Sequence, residues 1–143
     1  PKGSLRLPHP TKGPPMRRIT IIAILALSIV AAPNRVDAGG SCPQYEAVLR
    51  RYLPAKTVKT FSRIAWRESR CNPKSISAVR RSTGYPDVGL LQIQGSWRTV
   101  TIAICKPRGS HIKALTGLDC QLRVARYLYD NGGLGHWRAS SGQ

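Results

Sequence analysis

Acidic side chains are scarce in this chain. Its 143 residues hold 6 Asp and Glu against 23 Lys and Arg, a formal charge of +17, so chemistry that needs a carboxylate has few to draw on. There is no Cys-x-x-Cys and no pair of histidines at ligand spacing, which argues against zinc; no metal and no cofactor is expected. Internal repeats and alternating strand and helix signals are also missing, which excludes a parallel-sheet α/β architecture. The basic residues, among them Arg50, Arg51, Lys59, Arg80 and Arg123, are scattered rather than gathered in an arm or interleaved with aromatics. Specific nucleic-acid recognition is therefore not expected.

A long hydrophobic run is lacking too. The most apolar stretch, Ile19 to Ala32, has 14 residues, whereas a spanning helix needs about 20. With Met16-Arg17-Arg18 before it and Val36-Asp37-Ala38 after it, the stretch has the charged n-region, h-region and small-residue cleavage site of a secretory signal, residues 16–38. An uncleaved anchor is the alternative, and Met16 offers a start for either. Residues 1–15, rich in Pro, Gly and Lys and without apolar period, read as a disordered extension. Cleavage after Ala38 leaves residues 39–143, the size of one small domain. Without the leader's six basic residues and Asp37, 17 basic residues face 5 acidic ones there, a balance of +12. Such a surplus favours polyanions, including an anionic cell-wall polymer.

All four cysteines, Cys42, Cys71, Cys105 and Cys120, lie in residues 39–143. An even count behind an export signal predicts two disulfides, for which three pairings exist. Cys42 with Cys71 and Cys105 with Cys120 is favoured, because the first ties an opening helix to the end of the next and the second closes a local loop.

The periodicity is mainly helical. Ser41 is a candidate cap, Pro43 sits in the first turn, and Tyr45, Val48, Leu49 and Tyr52 form an apolar face that stops at Pro54. Val58, Phe61, Ala65 and Glu68 recur at intervals of three and four, and Asn72-Pro73 should stop that helix. Ser96 could cap a third helix whose face is Trp97, Val100, Thr101 and Ile104, broken by Pro107 and Gly109. Asp119 suits the start of a fourth, with Leu118, Leu122, Ala125, Leu128 and Tyr129 inward and Asn131-Gly132-Gly133 as its stop. Val88 to Gln94 is the one strand signal, half of a small hairpin. The expected fold is a small, mainly α (α+β) domain with one short hairpin and two disulfides.

Glu68 stands out because its helical register turns it toward the face that packs inward. A half-buried carboxyl must either be paired or have a raised pKa, and a raised pKa suits a general acid. The bland alternative is an ion pair with Arg63, Arg67 or Arg70 on a solvated face. The other carboxylates of the domain have local structural readings: Glu46 on a polar helix face, Asp119 as a cap, Asp130 at a helix end. Asp87, in Gly84-Tyr85-Pro86-Asp87-Val88-Gly89, reads as turn chemistry or as a second carboxylate.

Glu68-Ser69, the following Asn72-Pro73, Ser77 nine positions past the glutamate, and Gly89-Leu90-Leu91-Gln92-Ile93 together resemble the lytic transglycosylase (SLT) domain of the lysozyme-like superfamily. The resemblance covers Phe61 to Ile93 well and the flanks loosely. It is strongest to the short, cysteine-bridged actinobacterial and phage members, in which a Leu-Tyr helix is followed by Gly and Trp. It implies a lysozyme-like fold with the hairpin at a cleft, Glu68 as catalytic acid, and glycan contacts from Ser77 and Gln92. Residues Ala78 to Tyr85 are an insertion relative to that pattern. The Ala-Tyr-Asn-Ala-Gly helix of transglycosylases is reduced to an echo at Tyr129 to Gly133, so Trp137 or Tyr127 would fill the place of its tyrosine. Tyr85, Trp97 and Trp137 are candidate sugar-stacking faces, with core packing as the alternative.

The expected activity is cleavage of the β-1,4 bond between N-acetylmuramic acid and N-acetylglucosamine in peptidoglycan, by an exported monomer acting outside the cell, at the wall, or in a phage virion. Glu68 alone suffices for the anhydro-forming transglycosylase route. Hydrolysis, as in a lysozyme, would recruit Asp87 as well. A cationic wall-binding protein without turnover is the rival of another class. If the scattered charge concentrates the domain on an anionic wall, binding to whole walls should fall as the Debye length shrinks from ~10 Å at 0.1 M to ~3 Å at 1 M salt. Cleavage of a short uncharged chitin-type oligosaccharide should change far less; wall pelleting that ignores salt would leave the charge as a merely solvated surface.

Overall fold

The computed structural model describes residues 40–142. The predicted extension (1–15) and secretory signal (16–38) lie outside the described residues, as does Gln143. Helices α1 (Pro43–Tyr52) and α2 (Val58–Ser69), linked by a 3-10 turn at Ala55–Thr57, come first. A hairpin of β1 (Asp87–Val88) and β2 (Ile93–Gln94) follows, then α3 (Arg98–Cys105), α4 (His111–Leu115) and α5 (Leu118–Gly132). A 3-10 segment, Gly133–Trp137, and the short α6 (Arg138–Ser141) close the fold. This is a small, mainly helical domain with one two-stranded antiparallel hairpin and two disulfides, as expected.

Helix α2 carries Glu68. Val58, Phe61, Ile64 and Ala65 are buried along one face, and the helix packs on α1 and on α6. The rings of Tyr129 and Trp137 meet Phe61 edge-on, with centroids 5.8 and 5.0 Å away. Helix α5 adds Leu122, Val124, Ala125 and Leu128 to the same core. Leu90 and Leu91, in the hairpin turn between these helices, have no exposed surface. Burying a side chain of that size is worth about 1.5–3 kcal/mol.

The helix faces match the periodicity, but several end signals do not. Cys42 rather than Ser41 holds the N-cap position of α1, with no side-chain cap. Its N–H donates instead to the Oγ of Ser62 in α2, 2.9 Å away, because the disulfide draws this residue onto α2. Trp97, not Ser96, is the N-cap of α3; the Ser96 hydroxyl donates to Gln94 Oε1. Gly117 is the N-cap of α5, which leaves Asp119 inside the first turn, accepting a 2.7 Å hydrogen bond from the Tyr52 hydroxyl. Helix α2 ends before Asn72-Pro73: Arg70 and Cys71 both take positive φ (53° and 64°). Their N–H groups return to the carbonyls of Trp66 and Ala65, closing the helix as a left-handed cap does. Helix α4, started by Ser110 accepting from the Lys113 N–H, carried no signal beyond that serine because its five residues are too few to show a period.

The predicted strand Val88 to Gln94 is not half of a hairpin but almost all of one. Val88 pairs with Ile93 and Asp87 with Gln94, and Gly89 to Gln92 form the turn. Gly89 has φ +86° and a Cβ there would sit 2.5 Å from Gln121 Oε1, so only glycine fits. The chain reverses in the middle of an apolar run, and an apolar run with one glycine shows no reversal to a pattern count.

The disulfides pair Cys42 with Cys71 and Cys105 with Cys120, across separations of 29 and 15 residues. Disulfides of this kind belong to chains that fold in an oxidising compartment, outside the cytoplasm. Among the described residues, no helix is long and apolar enough to cross a membrane. Loop-closure entropy gives each bridge about 3–4 kcal/mol, against a total stability of about 5–15 kcal/mol for a domain. Reduction should therefore lower the thermal midpoint by well over 10 °C in a circular-dichroism melt; an unchanged midpoint, or four reactive thiols in protein produced in an oxidising compartment, would refute the bridge framework.

Candidate active site

Where the C-terminal end of α2, the hairpin and the 3-10 segment converge, a cleft of about 290 Å³ opens. Its walls bring together Glu68, Asp87, Arg80, Gln92, Gln94, Trp97, His136 and Trp137. Glu68 is half-buried. Among the described residues it makes no hydrogen bond or ion pair. The arginines on either side of it point elsewhere: Arg67 in α2 donates to the Ser140 carbonyl at 2.9 Å, and Arg70, just past the helix, lies over the Trp66 ring at 4.9 Å.

The other four carboxylates of residues 40–142 are each held by a cation. Glu46 meets Lys59 at 2.7 Å, and that hydrogen bond holds its pKa below the ordinary carboxylate value. Asp119 pairs with Arg123 and Asp130 with Arg126, each one helical turn away. Asp87 is 7% exposed and receives two hydrogen bonds on its Oδ2, one from Arg80 Nε at 2.7 Å and a shorter one from Nη2. Asp87 first, and the charge of Glu68 in addition, push the Arg80 pKa above its already high ordinary value. Two carboxylates thus share a cleft with one guanidinium, and the guanidinium is committed to Asp87.

The cleft wall is fixed by buried polar contacts to the hairpin turn. Ser69, next to Glu68, shares its hydroxyl proton between the carbonyls of Ala65 (3.0 Å) and Leu90 (2.8 Å). The fully buried Gln121 accepts from the Leu90 N–H at 2.5 Å and donates to the Pro73 carbonyl at 3.1 Å. Trp137 Nε1 donates to the Leu91 carbonyl at 2.9 Å. Buried backbone groups require such partners, and here they come from α2, α5 and the 3-10 segment, locking the turn to the element that carries Glu68.

The sequence candidates divide accordingly. Glu68, Asp87, Gln92 and Trp137 meet in the cleft; Ser77 and Tyr85 are not among its walls. The Ser77 hydroxyl is engaged by the hairpin, accepting from the Asp87 N–H at 2.8 Å and donating to the Ala78 carbonyl at 3.0 Å. Tyr85 packs edge-on against His111 at 5.6 Å. Gln92 takes a left-handed backbone, φ 46°, and its amide nitrogen donates to the carbonyls of Gly89 and Ser75. Its Oε1 accepts nothing among the described residues, so it can receive a hydrogen bond but offers no free donor. Trp137 is 4% exposed and belongs to the core, without an open face for stacking. It, rather than the 41% exposed Tyr127, lines the cleft together with Glu68, while Tyr129 packs on Phe61.

Three polar cleft residues had no functional reading in the sequence: Arg80, Gln94 and His136. His136 is exposed and edge-on to Trp97 (5.4 Å) and Trp137 (5.9 Å); the glycine run from Gly132 to Gly135 leading into His-Trp was the only available signal. Half-buried Trp97 is the better placed aromatic for an open ring face. Comparison of the chain with protein-family models, with curated proteins and with solved structures gives no match.

Replacing Gln121 by Leu strands the buried Leu90 N–H, a loss of about 1–3 kcal/mol for that group alone. Urea unfolding should show this decrease and hydrogen exchange at Leu90 should accelerate. Stability within a few tenths of a kcal/mol of the parent would mean that the amide does not pin the turn.

Proposed function

We propose that this domain is an exported peptidoglycan-cleaving enzyme of lysozyme-like type, acting on the β-1,4 bond between N-acetylmuramic acid and N-acetylglucosamine. The observation that carries the reading is Glu68. It is the one carboxylate among the described residues without a hydrogen bond or ion pair, and it lines the cleft. A surface carboxylate amid so many cations is readily paired; a general acid has to be free to reach the leaving oxygen.

In this reading Glu68 protonates the bridging oxygen as the bond to C1 of the muramyl residue breaks. Its carboxylate then accepts the proton of the muramyl 6-hydroxyl while that oxygen closes on C1, giving a 1,6-anhydro end without water. Gln92 Oε1 is available to an N–H or hydroxyl of the sugar, and Trp97 is available to stack. The polymer fits the basic surface, since phosphate-bearing walls would gather the domain by long-range attraction. The disulfides suit a site outside the cytoplasm, whether secreted, wall-associated or on a virion.

Hydrolysis is the second reading, favoured by one observation: Asp87 lines the same cleft and could support the developing oxocarbenium ion. Mass analysis of digested murein separates the two, because anhydro and reducing ends differ by one water. Glu68→Gln should lower murein cleavage at least ~10²-fold, the low end for loss of a general acid, with folding and wall binding retained. Cleavage within a few-fold of the parent would sink the assignment, and binding without any cleavage by the parent would leave a cationic wall-binding protein.

A further inference from the structure

We propose that Arg80 is a specificity-determining residue of this cleft: by holding the Asp87 carboxylate, it leaves one working carboxylate and directs the cleaved glycan to close on its own 6-hydroxyl rather than on water. The inference rests on the reading of Glu68 as acid and goes beyond it in naming what selects the product.

The geometry of the clamp is specific. Arg80 is the anchor of a closed turn: its N–H donates to the Tyr85 carbonyl at 3.0 Å, and its own carbonyl accepts from Thr83 and Gly84 at 3.3 and 2.8 Å. The turn lies within the Ala78 to Tyr85 insertion and aims the guanidinium at the hairpin. Asp87 is fixed from behind, because its N–H and carbonyl are both bonded to Ser77. Only its carboxylate is free to turn, and Arg80 takes the Oδ2 with two donors. The Asp87 side chain is 9% exposed and that of Arg80 57%, and both line the cleft, so the guanidinium sits on the solvent side of the acid it holds.

The chemistry follows from charge. Once Glu68 has protonated the leaving oxygen and the C1–O bond has broken, C1 carries positive charge. A bare carboxylate beside it would prolong the cation's life and let water attack: the water oxygen bonds to C1, one of its protons passes to Glu68, and a reducing end results. A carboxylate neutralised by a guanidinium does this poorly, and the guanidinium repels the cation. The neighbouring 6-hydroxyl, already part of the same sugar, then captures C1 first, returning its proton to Glu68. This advantage is one of proximity. The Arg80 side of the pair is more than half exposed, so removing the guanidinium lets water reach the Asp87 carboxylate and should alter the product more than the fold.

The test is digestion of purified sacculi in H₂¹⁸O, with muramyl ends separated by mass into anhydro and ¹⁸O-labelled reducing forms. The parent should yield mainly anhydro ends. Arg80→Gln should raise the ratio of reducing to anhydro ends at least ~10-fold, about 1.4 kcal/mol between the two barriers. Arg80→Asn-type shortening is unnecessary; Arg80→Met, similar in reach, carries the same expectation should the Gln variant not fold by circular dichroism. Arg80→Lys should stay within a few-fold of the parent, and adding Asp87→Asn to Arg80→Gln should restore the parent ratio. Cleavage by the Gln or Met variant with an unmoved ratio, or a parent that already makes mainly reducing ends, overturns the role of Arg80 while leaving Glu68 as the acid. Absence of cleavage by the parent overturns the Glu68 reading itself, and this inference with it.

Discussion

The buried turn of the hairpin is the constraint on which the rest of this domain depends. Leu90 and Leu91 carry their backbone into the core, where each unpaired N–H or C=O would cost about 1–3 kcal/mol. Water is excluded there, so partners have to arrive from elsewhere in the chain: Ser69 from α2, Gln121 from α5 and Trp137 from the closing 3-10 segment. Three elements distant in sequence are thereby held to one four-residue turn. The cleft is the space left between them, and Glu68 stands at its edge because Ser69 next to it is one of the three partners.

That arrangement explains what could be read from the residues alone and what could not. The faces of α1, α2, α3 and α5 were legible, since burial imposes a period and a period survives in sequence. The disulfides were legible because pairing between neighbouring helices is a local problem. The hairpin was only half visible: Gly89 marks a reversal, but Val88, Leu90, Leu91 and Ile93 carry one apolar run from strand through turn to strand for reasons of burial, which hides the strand ends. Cap residues misled in a consistent way. Ser41 and Ser96 have the right chemistry for a cap, yet the neighbouring Cys42 and Trp97 take the cap positions because a disulfide and core packing fix those residues first.

The candidate site was legible where it rests on exclusion and obscure where it rests on contact. Glu68 could be singled out by asking which carboxylate had no structural task, and the ion pairs of Glu46, Asp119 and Asp130 leave that question with the same answer. Ser77 and Tyr85 sit at plausible spacings, but spacing does not say whether a hydroxyl or a ring faces the cleft or the backbone of its own hairpin. Arg80 illustrates the converse. As one of 23 basic residues it has no distinguishing mark in sequence, and its identity as the partner of Asp87 emerges only when the Arg80 turn and the hairpin are folded together.

The same excess of cations gives the unpaired carboxylate its weight. In an acidic or balanced protein a carboxylate without a partner is ordinary, for there are too few cations to go round. Here 17 basic residues surround 5 acidic ones in residues 39–143, and surface pairs form at little net energy; an acid left alone must be kept apart by geometry. Arg67 and Arg70, which flank Glu68 in the chain, are turned to the Ser140 carbonyl and the Trp66 ring, and Arg80 is turned to Asp87. Each contact is weak by itself. Together they leave Glu68, at the cleft, without a cation partner among the described residues, which is the geometric freedom the proposed proton donor would use.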